Sequence, residues 1–289
     1  MTARTEAEGQ TVALAGENIA GRLWLGSSLY PSPDVMAQAI RSASPGFVTV
    51  ALRRQTARNI EDNGHWALLQ EAVATTKARL LPNTAGCFSA KEAILMANLA
   101  RELFATSWIK LEVMGDDYSL QPDPFELLDA ARELVSQGFK VLPYCTEDLV
   151  LCQRLLDAGC VGVMPWGAPI GSGCGLQNLE GLKRLRQRLP QAFMVIDAGL
   201  GKPSQAMQAM ELGFDAVLLN TAVAKAEQPV AMAAAFAAAV QGGRMAYDAG
   251  LMAERPQASP STPPVGLPFW HQPEPAVPHT TLSREVNES

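Results

Sequence analysis

The sequence is poor in histidine, in charge and in aromatic side chains. Of its 289 residues, three are histidine, 18% are charged and 6% are Phe, Trp or Tyr. Two of the histidines, His271 and His279, lie in a Pro-rich tail, which leaves His65 for the folded body. A Ser-His-Asp triad then has one available base, and a multi-histidine metal site is all but excluded. Lys and Arg number 23 against 29 Asp and Glu, a formal net charge of −6, and no basic block interrupts that balance. Duplex DNA, whose binding depends on neutralising phosphates, is a poor partner for such a chain. The longest nearly pure apolar run, residues 230–240, is too short to cross a bilayer, which takes about 20 residues. Residues 1–10 carry Glu6 and Glu8 and lack an apolar core, so no secretory signal is expected and the chain is expected in the cytoplasm. The cysteines, Cys87, Cys145, Cys152, Cys160 and Cys174, are odd in number and none is in CxxC spacing. That argues against a disulfide scaffold or zinc knuckle and for small buried hydrophobes. No nucleotide fingerprint or metal-ligand set is present, so no cofactor is expected.

What the chain does have is apolar material for a core. Hydrophobic residues make up 48%, and the mean hydropathy is +0.04. Eight short apolar or β-branched runs are each followed by a loop and a helical stretch. The runs are residues 23–25, 47–52, 78–81, 108–114, 139–143, 162–164, 193–197 and 216–219. The helical stretches are 33–41, 66–75, 90–106, 123–137, 148–158, 179–188, 204–212 and 229–241. Ser89 reads as an N-cap with Glu92 completing a capping box. Pro124 and Pro229 suit first helical turns, and Gly138, Gly159 and Gly213 suit helix ends. The strand runs are continuous rather than alternating, as when both faces are buried. Eight even βα units predict an α/β fold, a single (β/α)8 TIM barrel over residues 22–253. Residues 1–21 form an N-terminal extension able to lay a β-ribbon across the barrel's N-terminal face. Eight prolines fall between Pro256 and Pro278, so residues 254–289 are expected to be an irregular or disordered tail.

In such barrels the chemistry sits at the C-terminal strand ends. In the fourth run, Ile109, Leu111 and Val113 alternate with Lys110 and Glu112, so Lys110 and Glu112 point into the barrel if the apolar set meets the helices. A buried lysine is expected to have a lowered pKa and to act as a carbonyl nucleophile and Schiff-base former. A structural Lys–Glu ion pair is the other reading, and composition does not choose between them. The seventh run ends in Asp197-Ala198-Gly199-Leu200-Gly201, which places a carboxylate for proton transfer beside glycines that let backbone N–H groups approach an anion. With Asn220 and Thr221 after the eighth run, these loops occupy the usual phosphate site of such barrels; a tight turn at Gly199 and Gly201 is the plainer reading. Residues 164–175 hold four glycines and two prolines, a close-approach loop around Gly171 and Cys174. His65 reads as a polar loop or helix-start residue rather than a catalyst.

The motifs together resemble those of the thiazole synthases, barrel enzymes that build the thiazole ring of thiamine in bacteria. The resemblance spans residues 18–267. It is carried by Thr49-Val50-Ala51-Leu52-Arg53-Arg54, Leu81-Pro82-Asn83-Thr84-Ala85-Gly86-Cys87, Lys110-Leu111-Glu112-Val113 and Leu120-Gln121-Pro122-Asp123-Pro124. Further strings in the same order are Val141-Leu142-Pro143-Tyr144, Pro169-Ile170-Gly171-Ser172-Gly173, Asp197-Ala198-Gly199-Leu200-Gly201 and Leu218-Leu219-Asn220-Thr221-Ala222. The resemblance implies condensation of 1-deoxy-D-xylulose 5-phosphate, dehydroglycine and sulfur, the sulfur arriving as a thiocarboxylate on a small ubiquitin-like carrier protein. It assigns the Schiff base to Lys110 and acid–base roles to Glu112 and Asp197. It assigns sugar-phosphate binding to Gly171, Ala198, Gly199, Asn220 and Thr221, and it implies a homotetramer. A Schiff-base aldolase acting on a sugar phosphate, or an inactive barrel scaffold subunit, are the alternatives; an inactive scaffold is disfavoured by intact Lys110, Asp197 and Asn220. Three departures stand out. Gly26-Ser27-Ser28-Leu29-Tyr30-Pro31-Ser32 replaces the usual Gly-Thr-Gly-Lys-Tyr-Pro-Ser, Trp166 replaces a glycine, and Cys174 replaces a glutamine. They bear on the pocket's shape and on carrier docking. A chain truncated after Leu267 is expected to keep its thiazole-forming turnover, measured against the full chain; a large loss would give the Pro-rich segment a role in catalysis.

Overall fold

A computed structural model describes residues 11–52 and 64–258. Arg53, Arg54, His271, His279 and most of the Pro-rich segment lie outside the described residues. Residues 11–251 hold a two-stranded antiparallel ribbon, β1 (Val12–Leu14) and β2 (Glu17–Ile19), and an eight-stranded parallel sheet. The sheet strands are β3 (Leu23–Gly26), β4 (Phe47–Ala51), β5 (Arg79–Asn83), β6 (Trp108–Leu111), β7 (Lys140–Cys145), β8 (Met164–Pro165), β9 (Val195–Asp197) and β10 (Ala216–Leu219). Each pairs in parallel with the next in sequence from β3 to β8, β9 pairs with β10, and β10 returns to β3. Parallel bridges Val163–Met194 and Trp166–Asp197 join the last seam. There the Val163 N–H donates to Phe193 O at 3.0 Å, and the Val195 N–H to Val163 O at 3.0 Å. The sheet is thus the (β/α)8 barrel expected from the eight repeats. β8 is shorter than its apolar run suggests, and Pro165 has no N–H with which to extend the ladder.

The helices alternate with the strands: α1 (Pro33–Ala43), α2 (His65–Thr76), α3 (Ala90–Phe104), α4 (Pro124–Ser136), α5 (Leu149–Asp157), α6 (Leu179–Arg188), α7 (Pro203–Glu211), α8 (Thr221–Ala224) and α9 (Pro229–Ala249). Their starts follow local chemistry. Ser32 accepts from the Val35 N–H, Asp123 from the Phe125 and Glu126 N–H groups, and Asp148 from the Leu151 N–H, which satisfies donors that a helix leaves open at its first turn. At α3 the box is shifted by one residue. Ser89 Oγ accepts from the Glu92 N–H, but the Glu92 carboxylate reaches back to the N–H of Phe88. Helix α9 outruns its expected end at 241 and continues through Gly242 and Gly243. A Cβ on Gly243 would lie 2.5 Å from the Met207 backbone oxygen, so these glycines permit α7 to pack close rather than ending the helix. The short α8 was not foreseen. Among the described residues no helix is long and apolar enough to cross a membrane. Cys87, Cys145, Cys152 and Cys160 are buried and Cys174 is exposed.

Two cores follow from strand alternation. Ile109, Leu111, Val141, Ile196, Val217 and their neighbours pack outward against the helices. Trp24, Phe47, Leu81, Trp108, Leu142, Met164, Val195, Ala216 and Leu218 fill the barrel interior. The floor of that interior is aromatic: Phe47 lies 4.7 Å from Trp24 and 5.1 Å from Trp108, edge to face in both pairs, a favoured arrangement. The ribbon closes it, with Val12, Leu14 and Ile19 joining the interior cluster. Glu17 ion-pairs with Arg79 and Lys140 at the starts of β5 and β7. Ile19→Ala is expected to lower stability by about 2–5 kcal/mol, because Ile19 is fully buried. Urea denaturation measures it, and a change below about 0.5 kcal/mol, the usual range for surface sites, would mean that the ribbon does not seal the barrel.

Candidate active site

At the C-terminal strand ends lies a cavity of about 380 Å³. It is lined by Lys110 and Glu112 from β6 and its end, by Asp197 from β9, and by Gly171, Ala198, Gly199, Asn220 and Thr221. All eight residues singled out in the sequence therefore meet in one place. His65 does not line it; it is the first residue of α2, and burial lowers its pKa.

Lys110 points inward, as the alternation of β6 requires. It is buried, with Glu112 and Asp197. Its Nζ lies 2.5 Å from Asp197 Oδ2 and 3.2 Å from Glu112 Oε1. Burial alone would push the ammonium down, but the charges of Asp197 and Glu112, and hydrogen bonds to both, outweigh it and hold Lys110 above the usual lysine range. The expected lowering of the lysine pKa is thus overturned. A lone desolvated amine would lose its proton; one shared by two carboxylates keeps it. Asp197 moves the other way from a simple ion pair: burial raises its carboxyl, Lys110 pulls it back, Glu112 raises it again, and it settles at about 6. The cluster is an ammonium with a base of near-neutral pKa in contact with it, an arrangement suited to proton transfer.

The glycine-rich loops fit by backbone contact. Ala198 has φ +65° and Gly199 φ +76°, so the chain turns sharply just after Asp197. A Cβ on Gly199 would meet the Ala168 nitrogen at 2.4 Å, and one on Gly201 would meet the Gly173 oxygen at 2.7 Å. The Gly175 N–H donates to Gly199 O at 2.8 Å. The loops after β8 and β9 are therefore locked to each other, and their close packing requires glycine at these two positions. Asn220 Nδ2 donates to Ser28 Oγ at 2.8 Å, which ties the β10 end to the first loop.

The family model of thiazole biosynthesis protein ThiG matches residues 13–263. The chain belongs to this family. A thiazole synthase of Rhodopseudomonas palustris (strain BisB5) is 58% identical over 254 residues, covering 88% of this chain and 96% of the relative. A thiazole synthase of Ralstonia pickettii (strain 12J) is 56% identical and covers 94% and 98%, and one of Neisseria gonorrhoeae is 54% identical and covers 91% and 99%. Among solved structures, the Amycolatopsis orientalis BexX/CysO complex superposes with a TM-score of 0.74 at 26% identity, covering 84% of this chain and 98% of that one. The chain is thus an enzyme, a thiazole synthase of thiamine biosynthesis.

Within this thiazole synthase, the departures from the family pattern fall unevenly. Ser28 and Leu29 line the cavity, and Leu29, half-exposed, has φ +71°. Trp166 turns away from the cavity, its indole N–H donating to Glu147 Oε2 at 2.5 Å. Cys174 is exposed and its thiol points to Ser172 O. Of these positions, then, the first loop lines the cavity and Trp166 and Cys174 do not.

Sequence reasoning missed Thr84, which was quoted only within a motif. It is fully buried, its Oγ1 donates to Glu112 O at 2.7 Å and accepts from the Glu112 N–H at 2.8 Å. This pair fixes the backbone of Glu112 where β6 ends. Nothing local in the sequence marks it, because the contact joins residues 28 positions apart. Lys110→Met is expected to cost about 3–5 kcal/mol at pH 7.5, since it leaves two buried carboxylates without a cation. The deficit should shrink at pH 5.5. The folded Asp197 pKa lies above the unfolded 3.8, so folding binds its proton more tightly and this group's contribution falls as pH rises through about 6; loss of the lysine, which pulls that pKa down, carries the same trend higher. Urea denaturation at both pH values checks it, and an equal or larger deficit at pH 5.5 would contradict the coupling.

Proposed function

We propose that this enzyme condenses 1-deoxy-D-xylulose 5-phosphate, dehydroglycine and a protein-borne sulfur through an imine on Lys110, and releases a carboxylated thiazole phosphate. The observation that carries the proposal is the contact of Lys110 with Asp197 and Glu112 inside a cavity rimmed by glycine-rich loops. A charged ammonium is not a nucleophile. It becomes one by passing a proton to the adjacent Asp197 carboxylate, whose pKa of about 6 leaves it ionised at neutral pH. The free amine adds to the sugar ketone, the carbinolamine loses water, and an imine remains. The imine acidifies the neighbouring carbon; Glu112 and Asp197 move that proton and shift the carbonyl along the chain.

The carrier thiocarboxylate sulfur then adds to the new carbonyl; the acyl group passes from the sulfur to the former carbonyl oxygen, which departs with it as the carrier's carboxylate, and the dehydroglycine nitrogen displaces Lys110 as the ring closes with loss of water. Gly171, Ala198, Gly199, Asn220 and Thr221 hold the sugar phosphate through these steps, with the phosphate in the loops after β9 and β10. That placement is supported by the usual phosphate site of such barrels and by their lining of the same cavity. A separately made small protein as sulfur donor is supported by the likeness to a barrel solved in complex with a second protein. The same reading puts the reaction in the cytoplasm and the chain in a homotetramer.

The test is chemical trapping. The enzyme is incubated with 1-deoxy-D-xylulose 5-phosphate, reduced with borohydride and mapped by mass spectrometry. An adduct on Lys110 is expected, with ring formation only when thiocarboxylated carrier and dehydroglycine are added. No adduct on Lys110 sinks the Schiff base. An adduct accompanied by carrier-independent carbon–carbon cleavage turns the assignment to an aldolase.

A further inference from the structure

Beside the Lys110 cluster lies a buried donor that the scheme above leaves idle. Tyr144 on β7 is fully buried, and its hydroxyl has no hydrogen-bond partner among the described residues. β7 is the strand bonded to β6; Lys110 pairs with Leu142 and Leu111 with Pro143, so Tyr144 follows in register across from Glu112. Lys110 Nζ stands 5.6 Å from the Tyr144 ring centroid. Burial, then the negative charges of Asp197 and Glu112, raise the pKa of the phenol and keep it a donor. A buried hydroxyl without an acceptor is costly, and native interiors hold few of them. Here it lies within electrostatic reach of two carboxylates that share a single ammonium.

Imine formation removes that ammonium. One of its protons passes to Asp197, the carbonyl oxygen leaves as water, and the lysine nitrogen ends in a neutral C=N bond. The pair of carboxylates keeps one negative charge, now buried with no cation beside it. We propose that Tyr144 is a positioning residue of this reaction: its hydroxyl, unbonded in the resting enzyme, donates to the Glu112–Asp197 pair once Lys110 is tied up as the imine. The idea rests on the Schiff-base reading. It explains why an orphaned donor persists at this position, since its bond is made in the intermediate and not in the resting state.

Tyr144→Phe tests it, because the substitution removes only the oxygen. The resting variant is expected to melt at the same temperature as the wild type or higher, since an unsatisfied group is lost. The sugar-phosphate concentration that gives half-maximal borohydride-trapped Lys110 adduct should rise about 10–100-fold, the loss of one hydrogen bond to a charged group. The reduced sugar phosphate, which has no carbonyl and cannot form an imine, should bind both proteins equally. Unchanged trapping would overturn the proposal. So would a lowered melting temperature, or equal weakening of the reduced analogue, because either assigns the hydroxyl to packing of the resting state. Absence of any adduct in the wild type would instead defeat the Schiff base itself.

Discussion

One positive charge, the Lys110 ammonium, is shared by two carboxylates inside the barrel, and the arrangement of the molecule follows from keeping it there. Glu112 is two residues along the same strand direction as Lys110, but Asp197 comes from β9, on the far side of β7 and β8. The 2.5 Å contact can exist only because the sheet curls until β9 faces β6 across the interior. Glycine-rich turns then seal the rim behind Asp197, where Ala198 accepts a left-handed φ of +65° that a non-glycine residue adopts only at a cost.

Such a charge cluster needs a dry floor, and the interior supplies one. Trp24, Phe47 and Trp108 pack edge to face in that interior, and the β1–β2 ribbon adds Val12, Leu14 and Ile19 to the same cluster. Glu17 spans Arg79 and Lys140 at the strand starts, a partly exposed ionic cluster at the opposite end of the strands. Low dielectric around the buried cluster strengthens the contact of Lys110 with its carboxylates and makes an unpartnered charge there expensive. Both consequences matter: the first sets the resting state, the second sets what the intermediate must be given.

Much of this was legible in the residues. Alternation in 108–113 put Lys110 and Glu112 inside, and Asp197 at a strand end before glycines put a carboxylate at the mouth. Periodicity gave the barrel. What stayed hidden was whatever depends on contacts across the sheet. The sign of the Lys110 shift was misjudged because burial was visible in the sequence and the Asp197 contact was not. Thr84 holding Glu112 and Tyr144 facing it belong to register between strands, which single-strand periodicity does not encode. The last helix runs past 241 through Gly242 and Gly243, where close packing on Met207 of another helix is a contact that periodicity does not encode.

The misjudged sign changes how reactivity must arise. Had burial dominated, the resting lysine would be a free amine, reactive toward any carbonyl that entered. On the proposed Schiff-base reading, a lysine held charged by two carboxylates is inert until a proton moves the short distance to Asp197. The near-neutral pKa of Asp197 makes that move affordable only because burial and Glu112 have already raised it. Glu112 thus has two opposing effects, steadying the ammonium and raising the pKa of Asp197, the base that removes the lysine proton in the proposed reaction.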